Sequence, residues 1–454
     1  MLKRGGENSV SVSPRFKCAA LLAGLVVARS VLADAFPDTV YFNDFDACGL
    51  QCARAQCPAN GTTSLSGTVH APNGTLPLPN VEVYIANADV GALTDGPPAL
   101  RCDQAPLGHP LVATLTDVDG KFKLNNVPAG VPMTAVVLAG KWRRQVSVPA
   151  LTACVDTPLA DDATRLPRTH LEGDIAHTAV VTGSADGFEC LMRKIGVVDS
   201  EFGTSPGVAR IHLFTGASGF AASHFDVANG GTTFAGASSL WASSGALSAY
   251  DQVMLACDGS PNPGNQISQS ALDAMKTYAD AGGRVYLAHW QNYWLQANAG
   301  WPVATWNNSL SSFNNPIIAQ VSNDFTQGAI QYTWLDHTGA SATAGTLSII
   351  GGRQTAVAID ATVARKWIYL DTTSNNAPSM QYFSFTTPID AQPSAQKGRV
   401  AFTDMHDYVG DTSTVAGAFP SGGCTTAVTS LTPQEKALIY ATFDLQRCVG
   451  STRE

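Results

Sequence analysis

The pattern of apolar positions changes period twice between Tyr250 and Trp294. Val253 to Ala256 is an unbroken apolar run, as expected of a strand covered on both faces. Ile267, Ala271, Leu272, Met275 and Ala279 then recur at helical spacing, and Gly282-Gly283 supplies a left-handed residue to end the helix. RVYLAHW follows as a second apolar strand. Strand, helix and strand in this order make a βαβ unit, so the domain is α/β and its cleft lies beyond the carboxyl ends of the strands. Upstream, HTAVVTG (177–183) and RIHLFTG predict strands, and between them Phe188, Leu191, Met192 and Ile195 mark one face of a helix. GRVAFTDMHD (398–407) predicts the last strand. The closing helix carries a full start signal in Thr432, Pro433 and Glu435, a capping box ahead of Ala437, Leu438, Tyr440, Ala441 and Phe443. From about 297 to 393 the pattern turns to short alternating segments (TLSIIGG, TAVAID, KWIYLD, MQYFSFTTP), which predict a β-rich insertion before the last strand.

Residues 64–150 read differently. SLSGTVHAP, PLPNVEVYIAN, ATLTDVDGKFKL and TAVVLAGKWRRQVSV alternate apolar and polar, predicting a small all-β sandwich with a hairpin around Asp119-Gly120. The segments SGTVHAPNGTLPLPNVEVYI and TDVDGKFKLNNVPAG resemble the carboxypeptidase regulatory-like family, a transthyretin-type sandwich. That resemblance implies a spacer or recognition module. Asp117 and Asp119 fit a turn better than a calcium loop, because further oxygen ligands are missing. Residues 151–172 predict a linker, and 173–454 the α/β domain.

The first 35 residues predict an export signal: Lys3, Arg4, Arg15 and Lys17 precede the 11-residue apolar run Cys18 to Ala28, and Ala33-Asp34-Ala35 is a small-residue cleavage pattern. That run is too short to span a bilayer, so no membrane span is expected in the mature chain. The predicted location is secreted or at the cell surface, with the periplasm as an alternative. The charge balance without the signal is 22 basic against 34 acidic residues, net −12, which speaks against nucleic acid as a partner. Nine cysteines then remain, and outside the cytoplasm disulfides are their default state. Cys48, Cys52 and Cys57 lie in a leader, residues 36–63, where stapling is favoured over a metal knuckle. Cys424 and Cys448 flank the last helix and are expected to tie it to its preceding loop. Cys190 is the expected partner of Cys257, a disulfide being weighted over a thiol nucleophile.

The order of YDQVMLACDG, DAMKTYADAGGRVYLAHW, KGRVAFTDMHD and a terminal helix resembles the glutamine-amidotransferase-like superfamily, in particular its ThuA-like branch. The expected fold class is therefore α/β, a flavodoxin-like parallel sheet with a β-rich insertion, preceded by the small sandwich. In amidotransferases the second strand of the βαβ unit delivers a cysteine nucleophile. Here that position carries His289, and Cys257 lies one strand earlier, so the resemblance implies a topology and not glutamine hydrolysis.

His289, His406, Asp404, Asp407, Asp258 and Asp186 all fall at or just beyond expected strand ends. Two histidines with carboxylates suit either a base with its orienting acid or a divalent metal for hydrolysis. The catalytic candidates are His289, His406, Asp404 and Asp258. Asp186, Trp290, Tyr293 and Trp294 are ligand-binding candidates, the rings suiting sugar faces at a cleft mouth or, equally, packing beneath the insertion. No G-x-S-x-G, Walker loop, GxGxxG or H-E-x-x-H occurs in the chain. Two readings stay open: an exported, non-catalytic surface protein that binds a glycan or an extracellular protein, and a secreted hydrolase of carbohydrate or amide bonds. No organic cofactor is expected under either, and a divalent metal is left open.

Overall fold

A computed structural model describes residues 49–217, 221–260, 267–308, 315–371, 378–407, 417–420, 424 and 431–450. The expected export signal and Cys48 lie outside these residues. Asp38–Glu454 forms one compact unit.

Seven strands build the first part of the chain: β1 (Ser64–Thr68), β2 (Glu82–Ala86), β3 (Pro110–Leu115), β4 (Lys121–Asn125), β5 (Met133–Ala139), β6 (Trp142–Val148) and β7 (Asp156–Pro158). They form a sheet of order β4-β1-β7 and another of order β3-β2-β5-β6. β4 shows why the sequence alternates, since Phe122 and Leu124 are buried while Lys121, Lys123 and Asn125 are exposed. The expected hairpin at Asp119-Gly120 is corrected by this topology. Gly120 does turn the chain (φ +72°), but β3 and β4 belong to different sheets, so the turn links the layers. The Asp117 carboxylate accepts the N–H groups of Asp119 (2.9 Å) and Lys121 (2.8 Å), so it is used in the turn.

The large sheet contains β8 (Thr178–Thr182), β9 (Ile211–Thr215), β10 (Gln252–Leu255) and β11 (Arg284–Ala288), with β12 (Ile317–Val321), β13 (Thr346–Ile349), β14 (Ala364–Leu370), β15 (Ser379–Thr387) and β16 (Gly398–Thr403). Its parallel half runs β9-β8-β10-β11-β16, which is 2-1-3-4-5 in chain order. β15, β14, β12 and β13 then extend the same sheet antiparallel from β16. The insertion is thus an extension of the sheet.

Four helices are used below: α1 (Phe188–Lys194), α2 (Gln269–Asp280), α3 (Thr326–His337) and α4 (Pro433–Leu445). Every residue of β8, β10, β11 and β16 is buried, because side chains of both parities meet apolar layers. Val253, Leu255, Val285 and Leu287 pack with Leu272 and Met275 of α2. Met254, Ala256, Tyr286 and Ala288 face the other way, into a core that includes α1, α4 and the sandwich interior. Trp142 on β6 meets Phe443 on α4 edge-to-face at 5.7 Å. Gly140 (φ +63°) turns β5 into β6 directly against the backbone carbonyl of Gln446, where a Cβ would collide.

Cys57 is bonded to Cys154, Cys102 to Cys448 and Cys190 to Cys424. Two expectations are corrected. Cys424 and Cys448 do not staple α4 to its own loop; they reach back to α1 and to the 100–106 segment. Cys190 is bonded to Cys424, leaving Cys257 a buried free thiol, since packing places Cys257 at the end of a central strand. No described helix is long and apolar enough to cross a membrane.

Candidate active site at the strand ends

Four chain segments leave the carboxyl ends of β8, β10, β11 and β16 side by side. Beyond β8, Gly183 lies against the Cys257 carbonyl with no room for a Cβ, so the two strand ends approach closely. Asp186 follows, just before α1. β10 runs on to Ala256, Cys257 and Asp258. At the end of β11 the backbone turns sharply, and His289 adopts φ +40° as it enters the helical turn His289–Asn292. A side chain held in this region costs about 1–3 kcal/mol, and such residues cluster at functional sites. β16 runs on to Asp404, Met405, His406 and Asp407.

Asp186 ties these ends together. Its Oδ2 accepts the Cys257 N–H at 3.1 Å, while Oδ1 accepts the Asp407 N–H at 3.0 Å and lies 2.9 Å from His406 Nδ1. A carboxylate there fixes His406 with Nδ1 protonated and directs the other ring nitrogen away from Asp186. His289 Nδ1 lies 3.2 Å from Cys257 Sγ, and the two imidazoles meet edge-on at 5.0 Å. One ligand-capable atom from each of Cys257, His289 and His406 falls within 4.8 Å of the others. All three residues are at most 3% exposed.

Burial governs the protonation of this cluster. It holds the His289 imidazole down to about 2, helped by His406 and Arg353, so the ring is neutral near neutral pH. Burial also pushes the Cys257 thiol well up, and the Asp186 carboxylate adds to the shift. Asp407 is raised well above the usual carboxylate range by burial and then by Asp186, although the Gly187 N–H donates to it at 2.8 Å. Nearby Glu189 on α1 is fully buried and raised to about 8 by desolvation.

The structure therefore brings together His289, His406 and Asp186, with Cys257 in the place of a fourth member. Asp258 borders the cluster, its Oδ2 accepting from Gln291 Nε2 at 3.1 Å. Asp404 is different: Thr355 Oγ1 and the Ala356 N–H (2.9 Å) bind its carboxylate and tie it to the insertion, and burial raises it to about 6. Of the two readings left open for the rings, the tryptophans take the packing one. Trp290 and Trp294 are buried core residues; Trp294 meets Trp241 at 4.9 Å and donates to Gln291 Oε1 at 3.0 Å. Tyr293 is partly buried against the same core as Trp290. Tryptophans on a short turn beneath an apolar sheet pack inward because that removes most area from water. Gln291 went unrecognised in the sequence. Its amide donates to the Ala256 carbonyl at 2.8 Å as well as to Asp258, bracing the end of β10. Its signal was its place two residues after His289.

No family model and no curated protein matches the chain. Among solved structures, a putative ThuA-like protein from Bacteroides uniformis is 12% identical, covering 61% of this chain and 90% of that one, with a TM-score of 0.29. A type II cohesin–X-dockerin complex from Acetivibrio cellulolyticus is 15% identical over 33% of this chain and 79% of that one, with a TM-score of 0.15. The dioxygenase domain of a dioxygenase–carbohydrate-binding fusion from Streptomyces sp. SirexAA-E is 17% identical over 28% and 98%, with a TM-score of 0.13. At such values the residues themselves must carry any statement about chemistry.

Proposed function

We propose that the mature chain works outside the cytoplasm as a hydrolase of amide or carbohydrate bonds. Its centre is the strand-end cluster of Cys257, His289, His406 and Asp186, on a sheet read as flavodoxin-like with a β-rich insertion. The carrying observation is the convergence of a thiol and two imidazoles at the carboxyl ends of parallel strands, one imidazole oriented by a carboxylate. A thiol nucleophile is the weaker version of this chemistry, because Cys257 and His289 are both held neutral instead of forming a thiolate–imidazolium pair. Activation of water remains. It is available either through an oriented imidazole or through a held cation, and both routes need His289 and His406. Export is supported by the leader pattern and by the disulfides.

A panel of small amide and glycoside substrates on protein purified from the secreted fraction tests this. Turnover that disappears in His289→Ala and His406→Ala is expected. Equal activity in both variants and the parent, or none in a folded parent on any substrate, removes the hydrolytic reading.

The second reading, binding of a glycan or an extracellular protein, is favoured by a cavity of about 520 Å³ between the sandwich and the end of α4. Tyr84, Arg101, Arg143, Phe443 and Arg447 contribute to its wall. Its size suits a small ligand or a protruding side chain. Glycan-array or pull-down signals lost on Tyr84→Ala, with hydrolysis absent, would favour it.

A further inference from the structure

We infer that Cys257, His289 and His406 bind one zinc-class divalent ion, through Sγ, Nδ1 and Nε2 respectively, with Asp186 as the outer partner of His406. The assignment deepens the hydrolytic reading, on which its catalytic consequence rests, while its evidence is independent of any activity.

Geometry comes first. Zinc–sulfur and zinc–nitrogen bonds of about 2.3 and 2.0–2.1 Å, set at tetrahedral angles, place sulfur about 3.6 Å from nitrogen and the two nitrogens about 3.4 Å apart. Cys257 Sγ and His289 Nδ1 are 3.2 Å apart, and one ligand-capable atom of each of the three residues lies within 4.8 Å of the others. A shift of a few tenths of an ångström brings the first pair to the tetrahedral spacing. The close approach is built by backbone: β10 and β11 are directly paired, Leu255 opposite Leu287, and β11 pairs β16, Ala288 opposite Thr403.

Donor chemistry narrows the ion. One thiolate and two imidazoles suit zinc, cobalt or copper, and are a poor set for magnesium or calcium, which take oxygen ligands. The His406–Asp186 contact has the form usual around such ions, a ligating imidazole whose other nitrogen donates to a carboxylate. Cys257 offers a separate line of support. Among the described residues, Cys52, Cys57, Cys102, Cys154, Cys190, Cys424 and Cys448 are disulfide-bonded, and the one free thiol, Cys257, lies beside two imidazoles. A free thiol is the form of cysteine that can ligate a metal.

Three protein ligands leave a fourth position for water or a substrate oxygen, as in catalytic rather than structural zinc sites. On binding, the hydrated ion loses water to solvent, the Cys257 thiol proton goes to buffer, and one metal–sulfur and two metal–nitrogen bonds form. No electron is transferred.

The test uses secreted full-length protein purified without chelator. Elemental analysis should find about one zinc per chain. After chelation, cobalt(II) should restore about one equivalent, with thiolate-to-cobalt charge-transfer absorption and the strong visible bands of a tetrahedral site. Asp186→Asn should weaken cobalt affinity roughly 10–100-fold, and Cys257→Ala or His289→Ala should weaken it further. A folded parent that binds cobalt without the thiolate band, or does not bind it, overturns the inference; so does a Cys257→Ala protein with parental affinity. Should the variants fail to fold, the parent's cobalt spectrum decides alone. Protein that hydrolyses substrate but shows no thiolate–cobalt band overturns the metal site and leaves the hydrolytic reading intact. Protein with one cobalt on thiolate that hydrolyses nothing upholds the site and removes that reading.

Discussion

Thr432 shows how a single side chain can set an element. Its hydroxyl accepts the Glu435 N–H at 3.2 Å while the Glu435 carboxylate accepts the Thr432 N–H at 2.7 Å, so both halves of the expected capping box are formed. Thr432→Ala should cost about 1 kcal/mol in urea unfolding, and Thr432→Ser almost nothing. His212 carries a different prediction. It is 2% exposed on β9, its Nδ1 is 2.9 Å from the Tyr250 hydroxyl, and burial followed by His177 lowers it from 6.5 to about 4. Arg210 lowers it further and Asp95 opposes. Above pH 6.5 the ring is neutral in both states and adds no slope. Between 6.5 and about 4 the unfolded chain takes up a proton that the native chain refuses, so stability falls as the pH drops through this range. Below about 4 both forms are protonated. His212→Gln should therefore flatten the fall in urea midpoint between pH 6.5 and 4 relative to the parent; parallel curves would show that the native imidazole protonates normally.

Among the elements, those with one clear period were legible. The βαβ unit, the last parallel strand and α4 stand where the apolar pattern put them, because the strands are unbroken apolar runs covered on both faces and α4 carries an explicit start signal ahead of its apolar residues. α3 was not legible. TQGAIQYTWLDH has no apolar face, since Gln327 and Gln331 are buried beside Trp334 and Leu335. This helix is wedged between other elements: Trp334 donates to the Pro77 carbonyl at 2.8 Å, Gln327 takes a bond from Asn80 at 3.0 Å, and the Tyr440 hydroxyl donates to its carbonyl. A helix that satisfies polar side chains on neighbours loses the periodicity that reveals it. The same limit governs the site. Strand-end logic placed His289, His406 and Asp186 on one rim, but not the turning of Asp404 into the insertion, and it left Trp290 and Trp294 divided between the cleft and the core. Cysteine pairing was equally hidden, since it depends on which loops meet across the fold. Cys190–Cys424 joins seven-residue α1 to a segment 234 residues away. Replacing both with alanine should cost about 2–5 kcal/mol and accelerate exchange of the α1 amides, as read by hydrogen exchange.

At the scale of the molecule, the sandwich and the large sheet behave physically as one body. Their interiors are continuous through Trp142 and Phe443. Polar contacts reinforce the seam: Lys141 lies 3.5 Å from Asp251, Arg210 bonds Asp95 at 2.7 Å, and Cys102 is bonded to Cys448. Two modules joined by a mere tether would unfold separately, whereas a shared core couples them. Trp142 tests this most directly, being 1% exposed on a sandwich strand while packing against a helix of the other sheet. Trp142→Ala should destabilise by about 3–5 kcal/mol. Because the lost contact belongs to both bodies, calorimetry should show one transition in parent and variant alike, shifted down as a whole, with near-ultraviolet circular dichroism following the same midpoint. Two resolved transitions, of which only one moves, would mean that the sandwich folds apart from the sheet it leans on. In that case the cavity between them would open and close without unfolding either.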